Sequence, residues 1–265
     1  MKQKIKKDEY SLALKDLNDP LVPVKAHGLV ALRKLIDLKD ETTLSNKTKV
    51  LEHFLNNVKC NESYIYLAAV NGLISLALYE PATILDVLLN EYRTSKKLDI
   101  ETRLKIGEVL TRTVKNFNDL LPKYGNMLID AFLIGCKHEE DLFRSSSLSN
   151  LGETCKLLNF SLHTNIHEII NCLSSLIDTD KSIQVKRSAA MVVKMIIEGL
   201  RQENFIQILG DSALPLYKVL SKTKSTSQDE IVQLNCQLST EYLNDLMRSS
   251  LFPKQKLEKQ IKISF

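Results

Sequence analysis

Tryptophan is absent from the 265-residue chain, and glycine (8) and proline (6) are scarce. A β-sandwich or barrel of this size needs turn glycines in larger number, so the scarcity points to helix. No apolar stretch reaches membrane length. The uncharged run Tyr64–Tyr79 (YIYLAAVNGLISLALY) is shorter than the roughly 18–20 apolar residues a spanning helix requires, and it contains Asn71 and Ser75. It reads as a buried repeat helix with no transmembrane segment. The N-terminus is charged without an apolar core, which excludes a secretory signal. Five cysteines, an odd and widely spaced set, read as reduced thiols of an intracellular protein.

Catalytic signatures are missing as well. There is no glycine-rich phosphate loop and no Gly-x-Ser-x-Gly elbow. His163 and His167 stand four apart, with Cys155 and Cys172 nearby, but the spacing fits no structural zinc set and lacks the glutamate of a zinc protease. The reading is of no cofactor, no metal and no enzyme.

Charge is unevenly placed. Residues 1–7 hold four lysines, and residues 253–265 hold four lysines and Glu258. Taking these from the 36 basic and 32 acidic residues leaves 28 basic against 31 acidic in 8–252, a net of −3. A nucleic-acid groove, including that of a helical-repeat DNA glycosylase, needs a basic body and aromatic stacking residues. The acidic body and the missing tryptophan exclude specific nucleic-acid binding.

What is present is a repeat. In LNDPLVPVKAHGLVALRKLI (17–36), Val24 is followed by Gly28, Ala31, Leu32 and Leu35 at positions 4, 7, 8 and 11, which fall on one helix face. The pattern restarts at Ile65, Thr102, Phe143, Val185 and Val232, in steps of 41, 37, 41, 42 and 47. HEAT and armadillo repeats run at about 40–47 residues. Each such segment follows another apolar-periodic one: KVLEHFLNNV, ILDVLLNEYR, NMLIDAFLIGC, IHEIINCLSSLI and LPLYKVLSK. The expected fold is all-α, a HEAT/armadillo-type α-solenoid of about six helix pairs, each with a first (A) and a second (B) helix. The expected organisation is a basic N-terminal arm at 1–8, the array over 9–248 and a basic C-terminal tail at 249–265. Without a polar cap at its start, the array reads as the C-terminal part of a longer one. The Ser/Thr-rich Ser221–Ser227 reads as a solvated loop open to phosphorylation.

Two groups of residues follow from this register. Asp19 and Asp180 each stand five before the first inward valine, next to Lys25 and Lys186, where charge pairs tie adjacent repeats together. Positions 6 and 10 face away from the core, toward the concave side. They give Lys34, Asn71, Glu108, Arg112, Ser149 and Glu153, a mixed-charge stripe suited to an extended polar segment of a partner.

Several segments are also similar to a known family. NDPLVPVKAHGLVALRKLI (18–36), SYIYLAAVNGLISLA (63–77), RLKIGEVLTRTVKNF (103–117), the stretch 121–158 containing FRSSSLSNLGE, and YLNDLMRSSLFP (242–253) resemble the C-terminal region of the transport and Golgi organisation protein 6 family. Its fungal relative is named for being required for nuclear transport of RNA polymerase II. The resemblance implies a protein-binding adaptor with no catalytic residues. Its partners would be polymerase II subunits and nuclear-pore or chaperone components, or coat proteins in a secretory role. The implied location is cytoplasmic, shuttling to the nucleus or peripheral to the Golgi.

The charge distribution yields a direct test. Any nucleic-acid retention at low salt resides in the lysine-rich ends, so deleting 1–7 and 254–265 abolishes it. Salt-sensitive binding retained by the trimmed chain would reverse the exclusion.

Overall fold

The protein is described from a computed structural model covering residues 2–94, 98–158, 162, 164–200 and 202–251, with side chains at 2–8, 94, 202–203 and 251 left out. His163 and the segment 252–265 lie outside the described residues. Of the described residues 86% are helical, and none lies in a strand.

The helices come as pairs, in two compact units, Met1–Leu157 and Leu158–Phe265. In the first unit the A helices are α1 (Lys2–Leu17), α4 (Lys47–Val58, preceded by the short α3, Glu41–Ser45), α6 (Pro81–Thr94) and α8 (Leu121–Gly135). Their B partners are α2 (Val22–Asp37), α5 (Ser63–Tyr79), α7 (Ile100–Val114) and α9 (Asp141–Leu158). In the second unit α10 (Ile166–Thr179) pairs with α11 (Ile183–Gly199). The short α12 (Gln202–Ile208) then leads to α13 (Ala213–Thr226), which pairs with α14 (Glu230–Leu251). The expected six pairs are all present. The all-α solenoid of HEAT/armadillo type is the observed fold.

Local chemistry sets the boundaries. Pro23 and Pro122 occupy the first turns of α2 and α8, where no amide donor is required. Asp40 and Asp99 cap α3 and α7, accepting from the Thr43 and Thr102 amides at 2.9 and 2.7 Å. Each cap satisfies a backbone donor that the helix leaves orphaned, which is typically worth ~1 kcal/mol. The helical spacing then selects the buried face. Every B helix begins two residues before the first inward position: Val22 before Val24, Ser63 before Ile65, Ile100 before Thr102, Asp141 before Phe143, Ile183 before Val185 and Glu230 before Val232. In α5, α7, α11 and α14 all five inward positions are buried. In α2 and α9, Val24, Ala31 and Asn150 are half-buried.

Small residues at position 4 allow close approach. Gly28, Ala69, Ser147 and Ala189 are buried. A Cβ added to Gly28 would lie 2.5 Å from the Leu17 amide nitrogen and 2.7 Å from the Ala13 carbonyl oxygen, so α1 and α2 touch backbone to backbone. Larger groups fill the space beyond. Tyr92 is wholly buried, edge-on to Phe132 at 5.6 Å and tilted on Phe143 at 5.0 Å. Since the Ser147 hydroxyl donates to the Phe143 carbonyl, the Tyr92 hydroxyl donates to Ser147 Oγ at 2.6 Å. Burial pushes the Tyr92 phenol far above its ordinary range, so it stays a donor. Arg103 closes the α6–α7 turn. Its guanidinium donates to the Tyr92 and Arg93 carbonyls at 2.7–3.3 Å and lies 4.3 Å over the Phe143 ring.

One expectation is corrected. Ser221–Ser227 is not a loop: residues 221–226 form the last turns of α13, and Ser227 is its cap. The Ser225 and Thr226 hydroxyls donate to the Lys222 carbonyl at 2.8 and 2.9 Å, so the polar composition that reads as a loop bonds back to the helix.

Gly28→Ala and Ala189→Leu are expected to overpack, each lowering stability by ~1–3 kcal/mol. Nothing lies within 4 Å of a Cβ at Gly199, so Gly199→Ala should be neutral or stabilising. Thermal melting of the three variants checks the register; equal melting temperatures would break it.

Candidate functional site

The outward face of the B helices in the first unit bears the stripe expected from positions 6 and 10. Glu108 and Ser149 are exposed, and Arg112, Asn71 and Glu153 are half-buried. Glu108, Arg112, Ser149 and Glu153 line one groove of about 620 Å³ between α7 and α9. Asn71 is tied to it from α5. Arg112 Nη2 donates to Asn71 Oδ1 at 2.7 Å, and Nη1 pairs with Glu108 at 3.2 Å. The structure therefore brings five of the six stripe residues together. Lys34 lies apart, in a smaller apolar depression of about 230 Å³ between α1 and α2.

Register positions 1, 3 and 13 add residues that the stripe omitted. Lys115, at 13 in α7, pairs with Glu153 across to α9 at 3.0 Å. Lys105, at 3, pairs with Glu101 at 2.9 Å, donates to the Cys60 carbonyl at 3.1 Å and lies 4.5 Å over the Tyr66 ring. At 100° per residue, positions 3 and 13 point within a few tens of degrees of 6 and 10, so carrying the count further along the helix would have found them. The groove is balanced: Lys105, Arg112 and Lys115 against Glu101, Glu108 and Glu153. The hydroxyls of Thr111 and Ser149 donate to the carbonyls four residues back, leaving oxygen lone pairs free to accept. Such a surface matches a chain carrying both donors and acceptors better than a polyanion or a polycation.

In the second unit, Asp180 and Lys186 line a groove of about 540 Å³ with Ser227 and Asp229. Asp180 accepts from the Ser182 amide at 2.8 Å, as Asp19 does from Leu21 at 2.9 Å, so both aspartates order the turn ahead of a B helix. Lys25 and Lys186 each sit fourth in their helix, and Lys186 Nζ is 3.4 Å from the Asp178 carbonyl. Arg187 of α11 pairs with Asp229, the residue before α14. Nε lies 3.1 Å from both carboxylate oxygens and Nη2 2.6 Å from Oδ2. Asp229 also accepts from the Val232 amide at 3.0 Å, capping α14. Arg187 first, and then that amide, hold the Asp229 carboxyl below the usual range.

Among the described residues, no group of three or more His, Cys, Asp or Glu is placed to hold a metal ion, and no helix is long and apolar enough to cross a membrane.

Residues 10–120 match the family model described as "Required for nuclear transport of RNA pol II C-terminus 1". Transport and Golgi organization protein 6 of Drosophila melanogaster is 27% identical over 245 residues, which is 91% of this chain and 26% of that protein. RNA polymerase II assembly factor RTP1 of Saccharomyces cerevisiae is 31% identical over 208 residues, 71% of this chain and 21% of that protein. Its namesake in Schizosaccharomyces pombe is 31% identical over 152 residues, 57% of this chain and 20% of that one. The chain thus spans about a fifth to a quarter of these relatives. Among solved structures, a designed armadillo repeat protein in complex with peptide (KR)4 has a TM-score of 0.48 at 14% identity, covering 88% of this chain and 98% of that one. A set of computationally designed armadillo repeat proteins gives 0.46 at 15%, covering 87% and 98%.

The depressed Asp229 carboxyl makes a pH prediction. Its folded pKa lies below the unfolded value, so its contribution is present above the ordinary carboxylate range and is lost as pH falls through the folded pKa. Asp229→Asn should melt below wild type near pH 7, and the gap should close toward pH ~3. A gap unchanged with pH would show that the Arg187 pairing does not stabilise the fold.

Proposed function

We propose, from the premise that residues 10–120 belong to the family required for nuclear transport of RNA polymerase II, that this chain is a non-catalytic, protein-binding scaffold in the assembly and nuclear import of that polymerase. The names of the two yeast relatives support the polymerase reading. Within each unit the stacked helix pairs supply an outer face, and repeat proteins bind extended partners on such faces. In this reading the protein works in the cytoplasm and shuttles to the nucleus. Its partners are polymerase subunits with nuclear-pore or chaperone components.

The observation carrying the reading to a surface is the groove between α7 and α9, where Arg112, Glu108, Ser149 and Glu153 converge with Asn71 at its edge. A partner segment laid there meets alternating charges and free acceptors. Arg112 is the expected anchor, because interfaces concentrate energy in few residues and arginine is prominent among them. Exchanging the pair as Glu108→Arg with Arg112→Glu keeps an i, i+4 ion pair while reversing both charges. The Asn71 amide can turn to donate where it had accepted.

A second reading rests on the Drosophila relative, whose similarity covers 91% of the chain and whose name is that of a Golgi organisation protein. In it the same scaffold serves protein secretion through coat proteins, peripheral to the Golgi.

One experiment separates the two. The chain and the Glu108→Arg/Arg112→Glu variant, matched in helicity and melting, are used as bait, and recovered proteins are quantified by mass spectrometry. Polymerase subunits and pore proteins recovered with wild type support the first reading, and coat subunits the second. Loss of those partners with the variant supports the groove. Recovery of every partner by the variant would place the interface elsewhere, on the A helices.

A further inference from the structure

In the first unit four of the eight residues at positions 6 and 10 of the B helices are charged: Lys34, Glu108, Arg112 and Glu153. In the second unit the same positions of α11 and α14 are Met191, Met195, Leu238 and Tyr242, with Leu234 at position 2, where α7 has Leu104. Met191 is 54% exposed, Leu234 55% and Tyr242 40%, and Met195 and Leu238 are half-buried. These side chains share one surface. The Tyr242 hydroxyl bonds the Glu198 carboxylate, position 10 of α14 on position 13 of α11, the pairing that Glu153 makes with Lys115 in the first unit. An apolar strip of methionine, leucine and tyrosine in a charged helix face is the composition of a docking surface.

The rim is acidic. Glu198, Glu241 and Asp245 border the strip, and Lys194 is already engaged with Glu198 at 3.6 Å. The strip therefore suits a basic segment with one apolar side. The chain contains such a segment. Residues 252–265 follow directly on α14 and hold four lysines against Glu258, and Leu257, Ile261 and Phe265 recur every fourth residue, the spacing of one helix face. Reach is sufficient. Five extended residues, ~17 Å, followed by 257–265 with a helical rise, ~12 Å, would span ~29 Å. Leu251 back to Leu234 along α14 is about 26 Å at 1.5 Å per residue.

We propose that residues 252–265 dock in cis on the apolar strip of α11 and α14. Leu257, Ile261 and Phe265 face Met191, Leu234 and Tyr242, and the lysines face Glu241 and Asp245. Tethering makes the contact intramolecular, at an effective concentration in the millimolar range. Any partner using this face must bring a better basic amphipathic helix or displace the tail. The inference does not depend on the identity of the partners proposed above.

Methionine oxidation tests it on the intact chain. Dilute peroxide oxidises exposed thioethers, and peptide mass spectrometry reads each site. Met191 should oxidise about threefold or more faster in Leu257→Asp/Ile261→Asp than in wild type, with Met127 of α8 unchanged, because oxidation follows exposure. Reciprocally, Leu234→Glu, a change at an exposed site, should speed tryptic cleavage at Lys256 and Lys259. Equal Met191 rates in wild type and the tail variant overturn the proposal. So does Met191 protection that grows with protein concentration, since a second copy would then be the occupant.

Discussion

The first two helix pairs each depend on one approach that leaves no room for another atom. Between α1 and α2 the contact is backbone on backbone at Gly28, with the Ala13 carbonyl and the Leu17 amide where a side chain would stand. Between α4 and α5 the ring of Phe54 fills the place of a Gly72 Cβ. Ala69, Ser147 and Ala189 hold the corresponding position in their helices and are wholly buried. Dispersion falls off within an ångström, so seating two helices this closely is what allows the larger groups, Tyr92 and Phe132 among them, to mesh without voids. The spacing of small residues fixes which face turns inward, and that in turn fixes which residues remain for solvent and partners.

This dependence explains what could be read from the sequence. The small-large pattern locates all six B helices, although position 4 carries the larger Ile106 in α7. It does not mark the short helices α3 and α12, which are too brief for periodicity to show. It also misjudges Ser221–Thr226, since hydroxyl side chains satisfied by their own helix look, in composition alone, like a loop. The groove was legible in part. Counting outward from the buried face reaches Glu108, Arg112, Ser149 and Glu153, but the count stopped short of Lys105 and Lys115, and Lys34 falls on a different surface. The Arg187–Asp229 tie escapes the repeat pattern, which places an aspartate five before the inward residue. Asp99 and Asp229, three before it, are the ones that cap α7 and α14.

In the groove of the first unit, Arg112 reaches back to Asn71, and Lys115 reaches forward to Glu153. Partly exposed pairs of this kind contribute little to stability, typically ~0–1 kcal/mol. They do hold long side chains in fixed places, which reduces the ordering cost of a later contact. The side chains of this face are thereby ordered at small expense to the fold. Its counterpart on α11 and α14 presents thioethers, leucines and a tyrosine from the same register. One scaffold thus carries two chemically distinct surfaces, set by a handful of outward residues that packing leaves unconstrained.

The constant lead of two residues before every B-helix core position contrasts with the A side, where spacing is loose. Only Glu80 separates α5 from α6, whereas α12 and a short 3-10 turn intervene before α13. Differences in repeat length are absorbed ahead of the A helices and never between a B helix and its first inward residue. The chain is therefore divided into stretches that tolerate insertion and stretches that do not. A few residues added near Gln202–Ser212 lengthen a connection at a cost that grows only logarithmically. A single residue added inside α11 would rotate everything beyond it by 100° and turn the buried face outward.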